Sequence, residues 1–247
     1  MIDIIKAKKT FDKHIKKYDM NNPKIMVKYK HSLRVSDLCV RLAKSLHLDE
    51  EKTSLIALIG LLHDIGRFEQ IKLYNTFDDQ LSIDHGGLGV NILFDEGLIR
   101  DYIKSDKYDE IIKKAIYNHN KLEVPDTYSE EQAFFSKIVR DADKIDIYYI
   151  VSNRDKTYKY DDESITEEVL DCLFRKSLID KTLAKTDLDK MLITIGYLYD
   201  LNFTYSYEII RTGEYVSSLF NALELTENKS IKAFNYIRQS LKDDFNI

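Results

Sequence analysis

Only eight glycines and two prolines punctuate these 247 residues, and that scarcity restricts the fold more than any other feature of the chain. A sheet protein of this length needs a turn signal roughly every 8–12 residues. Too few turn formers are present, so an all-β fold is excluded. Hydrophobic residues make up 44% and charged residues 32%, which rules out disorder and collagen-like repeats. The length supports a sizeable core in one large domain or two small ones.

Where turn signals are missing, helical spacing takes over. Leu33, Val35, Leu38, Cys39, Leu42, Ala43 and Leu46 recur at three and four residues and paint one stripe on a helix, with His31 standing before it. Asp49 is expected to cap a second helix through Ser54, Leu55, Ile56, Leu58, Ile59, Leu61 and Leu62, although Lys52 does not complete a capping box. That helix is apolar nearly all round and belongs at the centre of a bundle. Residues 64–83 (DIGRFEQIKLYNTFDDQLSI) lose the periodicity and read as a long surface loop with one helical turn at most. A helix restarts near His85 and runs through Val90, Ile92, Leu93 and Phe94; others span Tyr108–His119 and Glu130–Val151. SNRDKTYKYDDES then forms a charged connection, and helical spacing of Leu, Ile, Tyr and Phe resumes to about Leu241. The expected fold class is all-α: a single helical bundle over residues 1–155, including an N-terminal helix, with additional C-terminal helices over 156–247 packed on the same core. The tyrosines of IGYLYDLNFTYSYEII are read as core packing rather than base stacking.

Lys plus Arg number 37 against 42 Asp plus Glu, a net charge of −5, so no general attraction to nucleic acid is expected. The lysine-rich first thirty residues read as a solvated helix face. Cys39 and Cys172, far apart, do not form the pattern of a disulfide-stapled secreted domain and read as small buried hydrophobes. Neither a signal-peptide core nor a run of about 18 apolar residues is found. A cytoplasmic, non-membrane protein is expected.

Chemistry enters at His63-Asp64, directly after the apolar run SLIALIGLL. A buried carboxylate without a partner costs several kcal/mol. Capping is one explanation of the pair; joint donation to a divalent cation is the other. Further ligand types stand in four other segments: His31, His85, His119 and Asp143. A helical bundle can gather such residues around one interior point. His14 and His47 lie in polar surroundings and read as surface residues.

The order His31, His63-Asp64, Asp143 resembles the H…HD…D signature of the HD-domain superfamily of metal-dependent phosphohydrolases. YKHSLRVSDLCVRLA resembles its first-ligand helix, GLLHDIGRF its central motif and RDADKID its final aspartate motif. His85 in DHGGLGVNIL and His119 in YNHNK resemble the extended subset that binds two metals. The resemblance covers about residues 25–150 and specifies the fold class as an HD-domain bundle. Arg67 departs from the family's frequent HDxGK, keeping the charge in a planar fork suited to phosphate. In RDADKID the pattern favours Asp143 as ligand, with Asp141 second.

The resemblance implies one metal held by His31, His63, Asp64 and Asp143 and a second by Asp64, His85 and His119, with Asp64 bridging. Iron, manganese, cobalt, nickel and zinc all suit these donors. A water held by such ions has its pKa depressed from about 15.7 toward 7 and serves as nucleophile toward phosphorus. Asp64 and Arg67 are the candidate catalytic residues; Arg34, Arg67, Lys121, Arg140 and Lys144 are the candidate phosphate-holding cations, each with a surface salt bridge as its alternative. Glu69, Gln70, Tyr74 and Thr76 are candidate substrate contacts, or else parts of an ordinary structured loop. The implied activity is hydrolysis of a phosphate ester or anhydride of a small metabolite, a nucleotide or dinucleotide above all. The same ligands also suit a di-iron oxygenase, and a non-catalytic ligand-binding module is the third alternative. A small phosphorylated substrate is the expected partner, with self-association through the C-terminal helices as a further possibility.

Overall fold

The computed structural model describes residues 2–153 and 164–247. Its described residues are helical and contain no strand. The helices are α1 (Ile4–Ile15), α2 (Pro23–Ser45), α3 (Glu50–Leu62), α4 (Ile65–Tyr74), α5 (His85–Val90), α6 (Asp109–Asn118), α7 (Glu130–Ser152), α8 (Glu167–Phe174), α9 (Asp187–Gly196), α10 (Thr204–Thr212), α11 (Tyr215–Asn221) and α12 (Asn228–Phe245). The backbone divides into two compact units, Met1–Asp143 and Lys144–Ile247. Most of the charged connection expected over 152–164 lies outside the described residues.

In the first unit α3 is the central helix. Every residue from Leu55 to Leu62 is buried, and α3 packs against α2, α1 and α6. The Asp49 carboxylate accepts from Lys52 N at 2.8 Å and caps it as expected. Gly60 lets α2 approach closely, since a Cβ there would stand 3.1 Å from Val35 O and 2.7 Å from Cys39 Sγ. Ser36 Oγ donates to Ala57 O at 2.8 Å and ties the same two helices.

Three expectations change. His31 lies inside α2, which starts at Pro23 on an Asn22 cap, so the histidine is carried by a rigid helix. Residues 65–74 form a helix rather than loop: Ile65, Phe68 and Ile71 repeat every third residue and are buried, a short stripe masked by the polar residues between them. The loop is therefore only 75–84. His14 is not a surface residue, as both its ring nitrogens are enclosed. α5 continues as a π turn over Asn91–Asp95.

The second unit packs α8 against α9 and α12, and α10 against α11. Tyr148 is fully buried and donates to Ile195 O at 2.8 Å, and Tyr207 stacks on Phe245, so these rings serve as core. Asp189 is buried at the start of α9. It accepts from Thr166 N and Oγ1, Lys185 N and Thr186 N at 2.7–3.0 Å, which joins the entry of α8 to that of α9. Both cysteines are free, Cys39 buried and Cys172 half-buried. Among the described residues no helix is long and apolar enough to cross a membrane.

Candidate metal centre

Five helices or helix ends deliver donors to one point of the first unit. His31 comes from the middle of α2, His63 from the end of α3, Asp64 from the junction before α4, His85 from the first residue of α5, and His119 from the end of α6. Asp143 comes from α7. The four histidines and Asp64 are at most 4% exposed.

Asp64 divides the cluster in two. Its Oδ2 lies 3.4 Å from His31 Nε2 and 3.5 Å from His63 Nε2, and Asp143 Oδ1 is 3.0 and 3.6 Å from the same nitrogens. Its Oδ1 lies 3.4 Å from both His85 Nε2 and His119 Nε2. The imidazoles are fixed from behind: His63 Nδ1 donates to Gly60 O at 2.8 Å, His119 Nδ1 to Ile116 O at 2.6 Å and His85 Nδ1 to Asp79 Oδ2 at 2.6 Å. With the Nδ1 protons used this way, each of these rings when neutral presents its Nε2 lone pair inward. His85 Nε2 and His119 Nε2 are 3.0 Å apart, and His31 Nε2 and His63 Nε2 3.2 Å.

Donors about 2.1 Å from one ion stand about 3.0 Å apart at a right angle and about 3.4 Å apart at a tetrahedral angle. The separations here lie close to that range. His31, His63 and Asp64 form one group able to hold a divalent ion, and Asp64, His85 and His119 form another. Donor type, spacing and inward lone pairs therefore all fit metals on both sides of Asp64. Asp79, Asp84 and His85 form a third close group, but its carboxylates already pair with Arg67 and Lys121 at 2.8 and 2.6 Å.

Electrostatics follow from this crowding. Burial raises the cost of ionising Asp64, yet Lys28 and His63 outweigh it and hold the carboxyl well below its usual range. His63 is likewise opposed by burial, but Asp64 and Asp143 raise it to about 10. Burial lowers His119, and it lowers His85 to about 3 against the pull of Asp79.

Lys28 escaped the sequence reading. It sits one turn before His31 on α2, and its Nζ is 2.5 Å from Asp64 Oδ2. The signal was its i, i+3 spacing from the first histidine, lost among many other lysines. Arg67 lies at the centre as well: Nε is 3.7 Å from Asp64 Oδ1, while Nη1 donates to Gln70 Oε1, Phe77 O and Asp79 Oδ1 at 2.6–2.8 Å. Arg34 is half-buried one turn after His31 on α2. Lys121 pairs with Asp84 beside His85. Arg140 is buried, with its donors directed at the carbonyls of Asn118, Lys121 and Leu122, so it braces the turn behind His119. Lys144 belongs to the second unit and pairs with Asp200 at 2.6 Å.

Asp143 is the aspartate of RDADKID brought onto the histidines, and Asp141 is fully buried. Of the loop candidates, Gln70 is buried and its Nε2 donates to Asp79 Oδ1, Ser82 Oγ and Ile83 O, which makes it a brace. Glu69 pairs with Lys72, Thr76 Oγ1 accepts from Asp78 N, and Tyr74 is exposed.

Residues 29–148 match the family model of the HD domain. These residues form an HD domain, of a superfamily of metal-dependent hydrolases that bind divalent metals. Searches of curated proteins and of solved structures returned no match.

Proposed function

We propose that the protein is a dinuclear metal-dependent phosphohydrolase that cleaves a phosphate ester or anhydride of a small metabolite, of the nucleotide or dinucleotide class. The observation that carries this reading is the division of Asp64, whose two carboxylate oxygens face two separate sets of histidines. His31, His63, Asp64 and Asp143 would hold one ion and Asp64, His85 and His119 the other. When bound, the ions supply an acidified water and neutralise charge developing on phosphorus. The chain's own residues do the rest. Lys28 and Asp143 are the most open members of the centre, their side chains 17% and 14% exposed, so substrate is taken to approach on that side. Lys28 now pairs with Asp64 Oδ2; with that carboxylate given to a metal, its ammonium would be free to hold a phosphate oxygen. Arg67 offers a second cation next to Asp64. The buried imidazole ring keeps bulk water from the reacting atoms.

Elemental analysis of the purified protein and of His119→Ala tests the reading, alongside a phosphate-release screen over nucleotides and dinucleotides and an oxygen-uptake assay on iron-loaded protein. Two ions falling to one, with phosphate release, is the expected result. Oxygen uptake with no phosphate release from any ester replaces the reading with an oxygenase. No stoichiometric metal after anaerobic reconstitution replaces it with a binding module.

A further inference from the structure

The histidines of the centre are not braced alike. His63 and His119 stand at helix C-termini, and each donates its Nδ1 proton to the carbonyl three residues earlier in its own helix, Gly60 O or Ile116 O. Those acceptors form whenever the helix forms. His85 is the first residue of α5, so no helical turn precedes it to offer such a carbonyl. Its brace comes from the side chain of Asp79, six residues upstream in the 75–84 loop, through the 2.6 Å bond to Oδ2.

Asp79 is itself held from several directions. Its Oδ1 accepts from Arg67 Nη1 and Gln70 Nε2, both at 2.8 Å, and Asn120 Nδ2 donates to Oδ2 at 3.2 Å. Arg67 and Gln70 also bind Phe77 O, Ser82 Oγ and Ile83 O. The loop is thus pinned to α4 at both ends of Asp79. Asn120 follows His119, so the same carboxylate touches the element that carries the other nitrogen ligand of this side.

We infer that Asp79 is the positioning residue of the His85–His119 half of the centre, and that it makes the second ion's affinity depend on the order of the 75–84 loop. In the first half His63 is braced by a carbonyl of its own helix instead. The inference rests on the dinuclear reading given above. A carboxylate behind a ligating imidazole fixes its tautomer and raises its basicity, and losing it costs about 10–100-fold in metal affinity. That factor applies to one ion of the two.

The test is titration of metal-free protein with Mn²⁺ by calorimetry, with bound metal counted by elemental analysis, for wild type, Asp79→Asn and Asp79→Ala. Asp79→Asn keeps the shape should the alanine variant fold poorly. Imidazole proton resonances of the metal-free proteins form the second arm, in which the Nδ1 proton of His85 is expected as a downfield, exchange-protected signal. In both variants the first equivalent is expected to bind as in wild type and the second about 10–100-fold more weakly, with the His85 signal lost in Asp79→Ala and shifted upfield in Asp79→Asn, whose amide oxygen is a weaker acceptor. Two equivalents with wild-type affinities in both variants, or an unchanged His85 signal, overturns the inference and leaves the dinuclear reading standing. Fewer than two equivalents in wild type overturns the dinuclear reading itself, and the second-ion inference with it.

Discussion

Replacing Asp64 by alanine removes the one carboxylate shared by both halves of the centre, and the consequence can be worked out in stability units. An ion that binds only the folded chain stabilises it by about 2.7 kcal/mol when present at 100 times its Kd. Two ions at that excess give about 5 kcal/mol, and for a chain of this size each kcal/mol moves Tm by about 2–4 °C. Wild type is therefore expected to gain about 10–20 °C on saturation with Mn²⁺ relative to chelated protein. In Asp64→Ala the His85–His119 side keeps two nitrogens only, and the other side loses the oxygen 3.4–3.5 Å from its two imidazoles. The metal-induced rise should fall to a few degrees or vanish, with activity. The chelated variant should still fold. Removing one partner of a fully buried ion pair costs about 3–5 kcal/mol, but Lys28 is 17% exposed and can turn its ammonium to water, so the cost here is smaller. Thermal unfolding followed by far-UV circular dichroism, with and without metal, reads both quantities. A metal-induced rise in Asp64→Ala equal to that of wild type would refute the bridging role.

Other expected outcomes bear on single contacts. His63, held up at about 10 by Asp64 and Asp143 once burial is overcome, carries a proton at neutral pH that ligation must displace; metal affinity on that side should rise up to about tenfold per pH unit between pH 6.5 and 9, and calorimetry in buffers of different ionisation enthalpy should show proton release. Lys28→Met should raise KM roughly 10–100-fold, the worth of a charged hydrogen bond of about 1.5–3 kcal/mol, with both ions retained; an unchanged KM removes Lys28 from phosphate binding. Gly66→Ala would put a Cβ 2.3 Å from His85 O and 2.7 Å from Gly89 N; separating α4 from α5 should cost about 3 kcal/mol or more and weaken the second ion, both visible in one metal titration of Tm. Burial opposes ionisation of Asp189, but its bonds to Thr166, Lys185 and Thr186 outweigh that and lower its pKa below the usual value of 3.8. A depressed carboxyl contributes stability fully above its unfolded pKa and loses it as pH falls through the folded one. Acid unfolding should therefore include a component below about pH 4 that is missing in Asp189→Asn.

The sequence by itself determined the helical class, because a chain with so few glycines and prolines and with apolar residues at three- and four-residue spacing has no other way to bury them. It determined α3 as the central helix, since Leu55–Leu62 leave no polar face, and its cap at Asp49. His31, His63, Asp64, His85, His119 and Asp143 stood out as imidazoles and carboxylates beside apolar runs, and the resemblance to the HD-domain motifs, rather than that placement alone, grouped them as candidate ligands. Local pattern failed where the stripe was short. In 65–74 only Ile65, Phe68 and Ile71 bury apolar side chains, and the polar residues between them hid the helix.

The family resemblance implied a division of the donors about Asp64, but only the tertiary structure sets the distances. Which oxygen of Asp64 meets which histidine depends on where α2, α5 and α6 stand around α3, and no spacing along the chain encodes a distance between helices. The same holds for the cations. Arg140 and Lys121 read alike in sequence, as basic residues near a motif, with Arg67 set apart by standing directly beside one; in the fold Arg67 lies beside Asp64, Arg140 holds backbone carbonyls and Lys121 pairs with Asp84. Lys28 and Asp79 were invisible for the opposite reason, as each looked like one more surface charge. Their roles come from contacts made across 36 residues and across a folded loop, which exist only once the helices have packed.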